Sequence, residues 1–227
     1  SGTDYTLANG TLIIDAGATS GIIRIDGIID DLIDEANETV VVTLSNPSNA
    51  TLGADNVHTY TITDNDNAPV VGFSIPSSSG AESTSSAAIT VDLSAASGQN
   101  VTVDFAVSGT ATGSGTDYTL ANGTLTIGAG VTSETITISG IFDDAADEAD
   151  ETVIITLSNP SNATLGGNSV HTYTITDNDD APEVGFNANS SSETESVSSA
   201  GLTVDLSAAS SQNVTVDYTV TGTATGS

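Results

Sequence analysis

The chain repeats itself every 113 residues, and that interval fixes the size of the folding unit. SGTDYTLANGTL at 1–12 recurs at 114–125, and NPSNATLG at 46–53 recurs at 159–166. VHTYTITDND at 57–66 recurs at 170–179, and TVDLSAAS at 90–97 recurs at 203–210, with no insertion or deletion between them. A unit of this length is one domain, several times longer than a solenoid turn. Phase follows from the turn-rich punctuation Asp66-Asn67-Ala68-Pro69 and Asp179-Asp180-Ala181-Pro182. If these are joints, 68–180 is one whole domain. Residues 1–67 are then the C-terminal part of a preceding domain, and 181–227 the N-terminal part of a following one.

Within 68–180, apolar residues alternate with polar ones over seven short stretches. These predict strands at 70–75, 87–93, 101–108, 124–127, 132–138, 152–158 and 170–176. The apolar residues are mainly Val, Ile, Leu and Ala among many Thr, Ser and Gly, which suits sheets. The connections are rich in Gly, Ser, Asn and Asp, and nothing has a helical period. The expected fold class is all-β, an immunoglobulin-like seven-stranded β-sandwich in tandem repeats.

Thirty Asp and Glu stand against one basic residue, Arg24, for a net charge of −29. Such a surface repels phosphate, so neither nucleic acid nor an anionic membrane is an expected partner. No apolar run approaches the ~18 residues of a membrane span, so no direct membrane insertion is expected. The charge also works against a compact fold by self-repulsion, so cations must offset it. Without cysteine there is no disulfide scaffold. The missing initiator Met leads to the expectation that the sequence begins inside a longer, secreted surface protein.

Antiparallel strands put alternate loops at opposite ends of a sandwich. The second, fourth and sixth connections (SAASGQN, GAGV and NPSNATLGGNS) carry no acid. The first carries Glu82 and the third Asp117. The fifth, FDDAADEADE, carries Asp143, Asp144, Asp147, Glu148, Asp150 and Glu151, and the last strand ends in Asp177, Asp179 and Asp180. The loop carboxylates of this unit thus converge on one pole, where merely solvated acids would be spread over all the loops. Asp15 and Asp55 of the first repeat lie near the opposite pole and depart from the pattern. Hard anionic oxygens, with no Cys and no suitably placed His, select calcium, which takes six to eight oxygen ligands. Seven or more carboxylates exceed the needs of one ion, so two or more Ca2+ per pole are expected.

The motifs GTATGSGTDYTLANGTLTI (109–127), the DD-x3-E-x2-E run at 143–151 and ITDND (175–179) resemble the Calx-beta domain, known from sodium/calcium exchangers and many bacterial surface proteins. The resemblance covers 68–180 and both flanking pieces. It implies calcium ligands at Glu82, Asp117, Asp143, Asp144, Glu148, Asp177 and Asp179, with Glu151 and Asp180 as extras. In the preceding piece the matching residues are Asp4, Asp30, Asp31, Glu35, Glu38, Asp64 and Asp66, and in the following piece Glu195. Where some members have three successive Asp, this chain has Asn178, which implies one ion held less tightly.

These readings lead to a calcium-binding spacer in an extracellular surface or filament-forming protein, with calcium rigidifying each pole and joint. The expected partners are neighbouring repeats of the same protein. The two end pieces are complementary halves of one domain, so separate chains joining end to end by strand complementation form the alternative. A calcium-dependent glycan- or ligand-binding adhesin module is the alternative function, since Tyr118 neighbours the acidic pole. A calcium sensor is the third reading, lacking here the membrane or cytosolic context it needs. No enzyme is expected. His58 and His171 occupy one repeat position and read as surface strand residues, while Asp92, Asp104 and Asp205 read as solvent-facing. An EF-hand built on TDND fails for want of the Gly and Glu at their loop positions.

Overall fold

In the computed structural model, which describes residues 4–224, all regular structure is β. The chain-end complementarity rests in part on residues outside that range. One sandwich comprises β3 (Val70–Phe73), β4 (Ser77–Ala81), β5 (Ser86–Leu93), β6 (Val101–Gly109), β7 (Gly123–Ile127), β8 (Ser133–Ser139), β9 (Glu151–Ser161), β10 (Thr164–Leu165) and β11 (Val170–Thr176). One sheet runs in the order β10-β3-β5-β8 and the other β4-β11-β9-β6-β7. Period-two alternation points Ile89, Val91 and Leu93 of β5 into the core, against Val101 and Val103 of β6 and Val153, Ile155 and Leu157 of β9. Each such aliphatic side chain contributes about 1.5–3 kcal/mol by leaving water, and their sum holds the two sheets together.

The expected strand at 70–75 ends at Phe73, and a further strand outside those expected, β4, follows it. β3 pairs antiparallel with β5 (Val71↔Leu93), the chain breaks at Pro76, and β4 crosses to the other sheet to run parallel to β11 (Ser77↔Thr172 to Ala81↔Thr176). Proline has no N–H to give to a ladder, so it sits well where the chain changes sheets. Gly80 is required there, because a Cβ would collide with the Tyr173 hydroxyl. The crossing buries His171, which is 1 % exposed, so the expectation of a surface histidine fails. Its Nδ1 lies 2.8 Å from the Ile75 carbonyl and its Nε2 2.9 Å from Ser78 Oγ, with Phe73 packed against the ring. His58, whose repeat has no counterpart of 70–81 in this sequence, is exposed. Asp104 and Asp205 are also tied down: Asp104 accepts from Thr124 Oγ1 (2.6 Å) and Asn159 Nδ2 (3.2 Å), and Asp205 from Asn187 Nδ2 (2.6 Å).

The flanking pieces hold less regular structure. β1 (Glu38–Thr43) and β2 (Val57–Ile62) form a hairpin, and β12 (Val184–Phe186) pairs with β13 (Val204–Leu206). The counterparts of β7 and β8, at 10–14 and 20–26, are not strands; residues 1–67 contain no counterpart of their ladder partners β6 and β5. Side chains whose counterparts the complete unit buries are open there, among them Ile14, Val204 and Val216, which match the fully buried Ile127, Val91 and Val103.

Candidate metal centre

Four chain segments meet at one end of the sandwich. Gly115 (φ 87) and the left-handed Ser114 (φ 68) turn the chain ahead of Asp117. A bridge between Thr119 and Ser139 (2.6 and 3.1 Å) then clamps this loop to the end of β8. The Asp117 carbonyl accepts the Phe142 N–H at 3.0 Å, which draws the acidic loop beginning at Asp143 against Asp117. The preceding repeat repeats this wiring: Thr6 bridges Asp26, and the Asp4 carbonyl accepts the Ile29 N–H at 3.1 Å. On the other side, Glu82 N–H bonds the Thr176 carbonyl at 3.0 Å, so β4 delivers its glutamate beside the end of β11.

A recess of about 240 Å³ results, lined by Glu82, Asp117, Asp144, Glu148, Glu151 and Asp177. Glu82, Asp177 and Asp179 each offer a carboxylate oxygen within 4.8 Å of the others. Glu82 is buried at 6 % exposure, and its Oε1 has no hydrogen-bond partner; nor has the buried Oδ2 of Asp179. Burying a carboxylate without a partner is costly, and the cost shows in the titration. Burial, with the Asp177 and Asp179 charges added, pushes Glu82 up to about 7. Burial and the charge of Asp117 push Glu151 up to about 6, and burial with Asp177 and Asp143 nearby raises Asp179. Two buried unpartnered oxygens at a recess whose charged lining is all carboxylate fit a hard cation.

Other members occupy the rim. Asp143 is exposed and accepts from Asn178 Nδ2 at 3.2 Å, so Asn178 ties the acidic loop to the end of β11. Asp117 Oδ2 accepts the Thr112 N–H at 2.5 Å, and Asp144 Oδ1 accepts the Ala146 N–H at 2.7 Å. Asp180 is exposed and does not line the recess, and Glu195 is exposed and lines neither recess. Asp150 was not among the expected ligands, yet its Oδ1 accepts the Asp177 N–H at 3.2 Å and so braces the end of β11. Its place between Glu148 and Glu151 was the available signal. Tyr118 is 4 % exposed and belongs to the core.

The first repeat has the same arrangement. Asp4, Asp30, Asp31, Glu35, Glu38, Asp64 and Asp66 line a second recess of about 110 Å³. Asp4 raises Glu38, and burial with Asp64 and Asp30 close by raises Asp66.

Comparison of the sequence with known proteins points to one family. The model of the Calx-beta domain matches three times, at 1–66, 64–179 and 177–227. Sodium/calcium exchanger 1 of Rattus norvegicus is 32 % identical over 178 residues, covering 70 % of this chain and 18 % of the exchanger. The exchanger of Bos taurus is 30 % identical over the same span. The chain thus spans under a fifth of the length of these relatives. Among solved structures, the apo form of the Calx CBD1 domain is 26 % identical with a TM-score of 0.46, covering 50 % of this chain and 100 % of that one. The calcium binding domain CBD12 of CALX1.1 is 28 % identical with a TM-score of 0.45, covering 56 % and 53 %. The three family matches together span all 227 residues, and the chain belongs to the Calx-beta family.

Proposed function

We propose that this chain is a calcium-binding spacer from an array of repeats divided at 67/68 and 180/181. The observation that carries the reading is the pair of buried, unpartnered oxygens, Glu82 Oε1 in the recess and Asp179 Oδ2 within reach of it, with no basic residue lining the recess. Arg24 is the one basic side chain of the whole sequence. Calcium on Glu82, Asp177 and Asp179, with Asp117, Asp143, Asp144, Glu148 and Glu151 completing the shell, replaces mutual repulsion by ligation. The corresponding seven acids of the first repeat take the same role, and membership of the Calx-beta family supports the choice of ion. Binding to the folded state alone stabilises it by a few kcal/mol when calcium exceeds the dissociation constant a hundredfold.

The role is structural and non-catalytic. A surface with net charge −29 and no cysteine suits an extracellular cell-surface or filament protein, where millimolar calcium fills weak sites. The expected neighbours are further repeats, or a second copy completing an open half-domain by strand addition. The glycan-binding alternative loses its aromatic platform, since Tyr118 is buried. The test is a thermal melt of the 227-residue chain in calcium, magnesium and EDTA, with sedimentation to detect end-to-end association and antibody labelling of intact cells for location. A large calcium-specific rise in melting temperature supports the reading. Equal melts in calcium and EDTA would sink it.

A further inference from the structure

The acidic loop carries one aspartate that turns away from its own recess. Asp34, between Asp31 and Glu35, reaches the β5–β6 loop of the next repeat. Its carbonyl accepts the Gly98 N–H at 2.9 Å, and the Ser97 hydroxyl lies 3.2 Å from that carbonyl and 3.1 Å from Asp34 Oδ2, sharing its proton between them. The same hydroxyl accepts the Gln99 N–H at 3.1 Å, which closes a tight Ser97-Gly98-Gln99 turn around it. Ser97 is 1 % exposed, one of three buried polar or charged side chains among the described residues. Glu35 presses so closely on Gly98 that a Cβ there would meet its Cγ at 2.8 Å.

The contact recurs one repeat later. Ser210 Oγ lies 2.9 Å from Asp147 Oδ2 and 3.2 Å from the Asp147 carbonyl, and it accepts the Gln212 N–H at 3.1 Å. Ser211 N–H donates to the Asp147 carbonyl at 3.1 Å, and its hydroxyl reaches the same carbonyl at 3.2 Å, an added bond where the first joint has Gly98. Asp34 and Asp147, like Ser97 and Ser210, stand one repeat length apart, and each pair forms an isolated parallel bridge. Two joints of different local sequence close in one geometry.

We propose that the Ser97-Gly98-Gln99 turn and its counterpart Ser210-Ser211-Gln212 are docking sites for the acidic-loop aspartate of the preceding repeat. This aspartate–serine latch, in addition to the covalent linker, fixes how consecutive repeats are set. The partner such a site takes is the acidic loop of another repeat of this kind. A hydroxyl donor enclosed in a turn recognises a carboxylate and carbonyl presented together, and a bond to a charged acceptor is worth more than a neutral one. The latch is made by direct contacts between protein atoms and does not rest on the calcium reading.

The experiment uses the full chain, which has no native cysteine. Cysteines introduced at the exposed Thr59 and Thr135 carry spin labels, and pulsed electron resonance reads the distance distribution between the repeats. In saturating calcium, Asp34→Ala or Ser97→Ala is expected to widen that distribution at least twofold. The double variant should be no wider than either single one, because both remove one interaction. Asp34 lies outside the complete sandwich, so its variant reports on the joint even if Ser97→Ala disturbs the fold. Unchanged widths, or widths that add in the double variant, overturn the latch. Repeating the series in EDTA separates the two claims. Widening by the variants with a calcium-indifferent wild type keeps the latch and rejects the spacer mechanism. Calcium stiffening with indifferent variants does the reverse.

Discussion

Glu82→Gln is expected to act in opposite directions with and without calcium. The carboxylate is buried at 6 % exposure, lacks a partner on Oε1, and titrates near 7 against an ordinary value of 4.5. A folded-state value above the unfolded one means that its contribution to stability is fully present below 4.5 and lost as pH rises through about 7. The displacement corresponds to about 3 kcal/mol between the protonation states. Water entering an open recess, and the cost of burying an amide instead, reduce the expected gain at pH 8 to roughly 1–2 kcal/mol. For a domain of this size that raises the calcium-free melting temperature by about 5–10 °C. The gap between variant and wild type should close as pH is lowered from 7 to 4.5. In calcium the sign reverses, because the charged ligand that is gone costs more than this gain; a hundredfold loss of affinity removes about 2.8 kcal/mol of stabilisation. Calorimetric melts at pH 8 and pH 5, in EDTA and in millimolar calcium, read all four corners. A variant less stable than wild type in EDTA at pH 8, or one with an unchanged calcium response, would refute the reasoning.

Asp117→Asn should weaken calcium binding by titration calorimetry while keeping the bond to the Thr112 N–H, whereas Asp180→Asn, outside the recess, should leave binding unchanged. His171→Ala removes a buried ring and strands the Ile75 carbonyl and the Ser78 hydroxyl, so denaturant unfolding should show a loss of about 2–4 kcal/mol. His58→Ala, at the exposed equivalent position, should stay within about 0.5 kcal/mol of wild type. Adding monovalent salt to the calcium-free chain should raise its melting temperature by screening the acidic pole, with a much smaller effect once calcium is bound.

The alternation in AAITVDL, TVIITLS and VHTYTIT made the sandwich legible, because period two is the only way such residues share one core face. The gathering of acids at one pole followed from loop order alone, and the two recesses lie where that order put them. The crossing strand β4 escaped because SSSGA has no apolar alternation; what makes it a strand is the edge of β11, a tertiary cause. His171 could have been read as buried, since it shares a face with Tyr173 and Ile175 along β11. Its polarity argued for solvent, and the Ile75 carbonyl that satisfies it lies 96 residues away in sequence. Asp34 and Asp147 sit among acids of the same kind, and nothing in the composition of the loop separates the aspartate facing the next repeat from those facing the recess.

The parallel pairing of β4 with β11 has a mechanical consequence. In the array proposed above, tension would enter each repeat near Pro69 and leave near Asp177, loading the first strands and the last one in opposite senses along their common direction. The five paired positions from Ser77↔Thr172 to Ala81↔Thr176 then bear the load together, in shear, and cannot be peeled apart one bond at a time. The carboxylates that follow β4 and β11, Glu82 and Asp177, close the same end of this patch, so an ion held between them acts as a rivet where the strands would begin to slide.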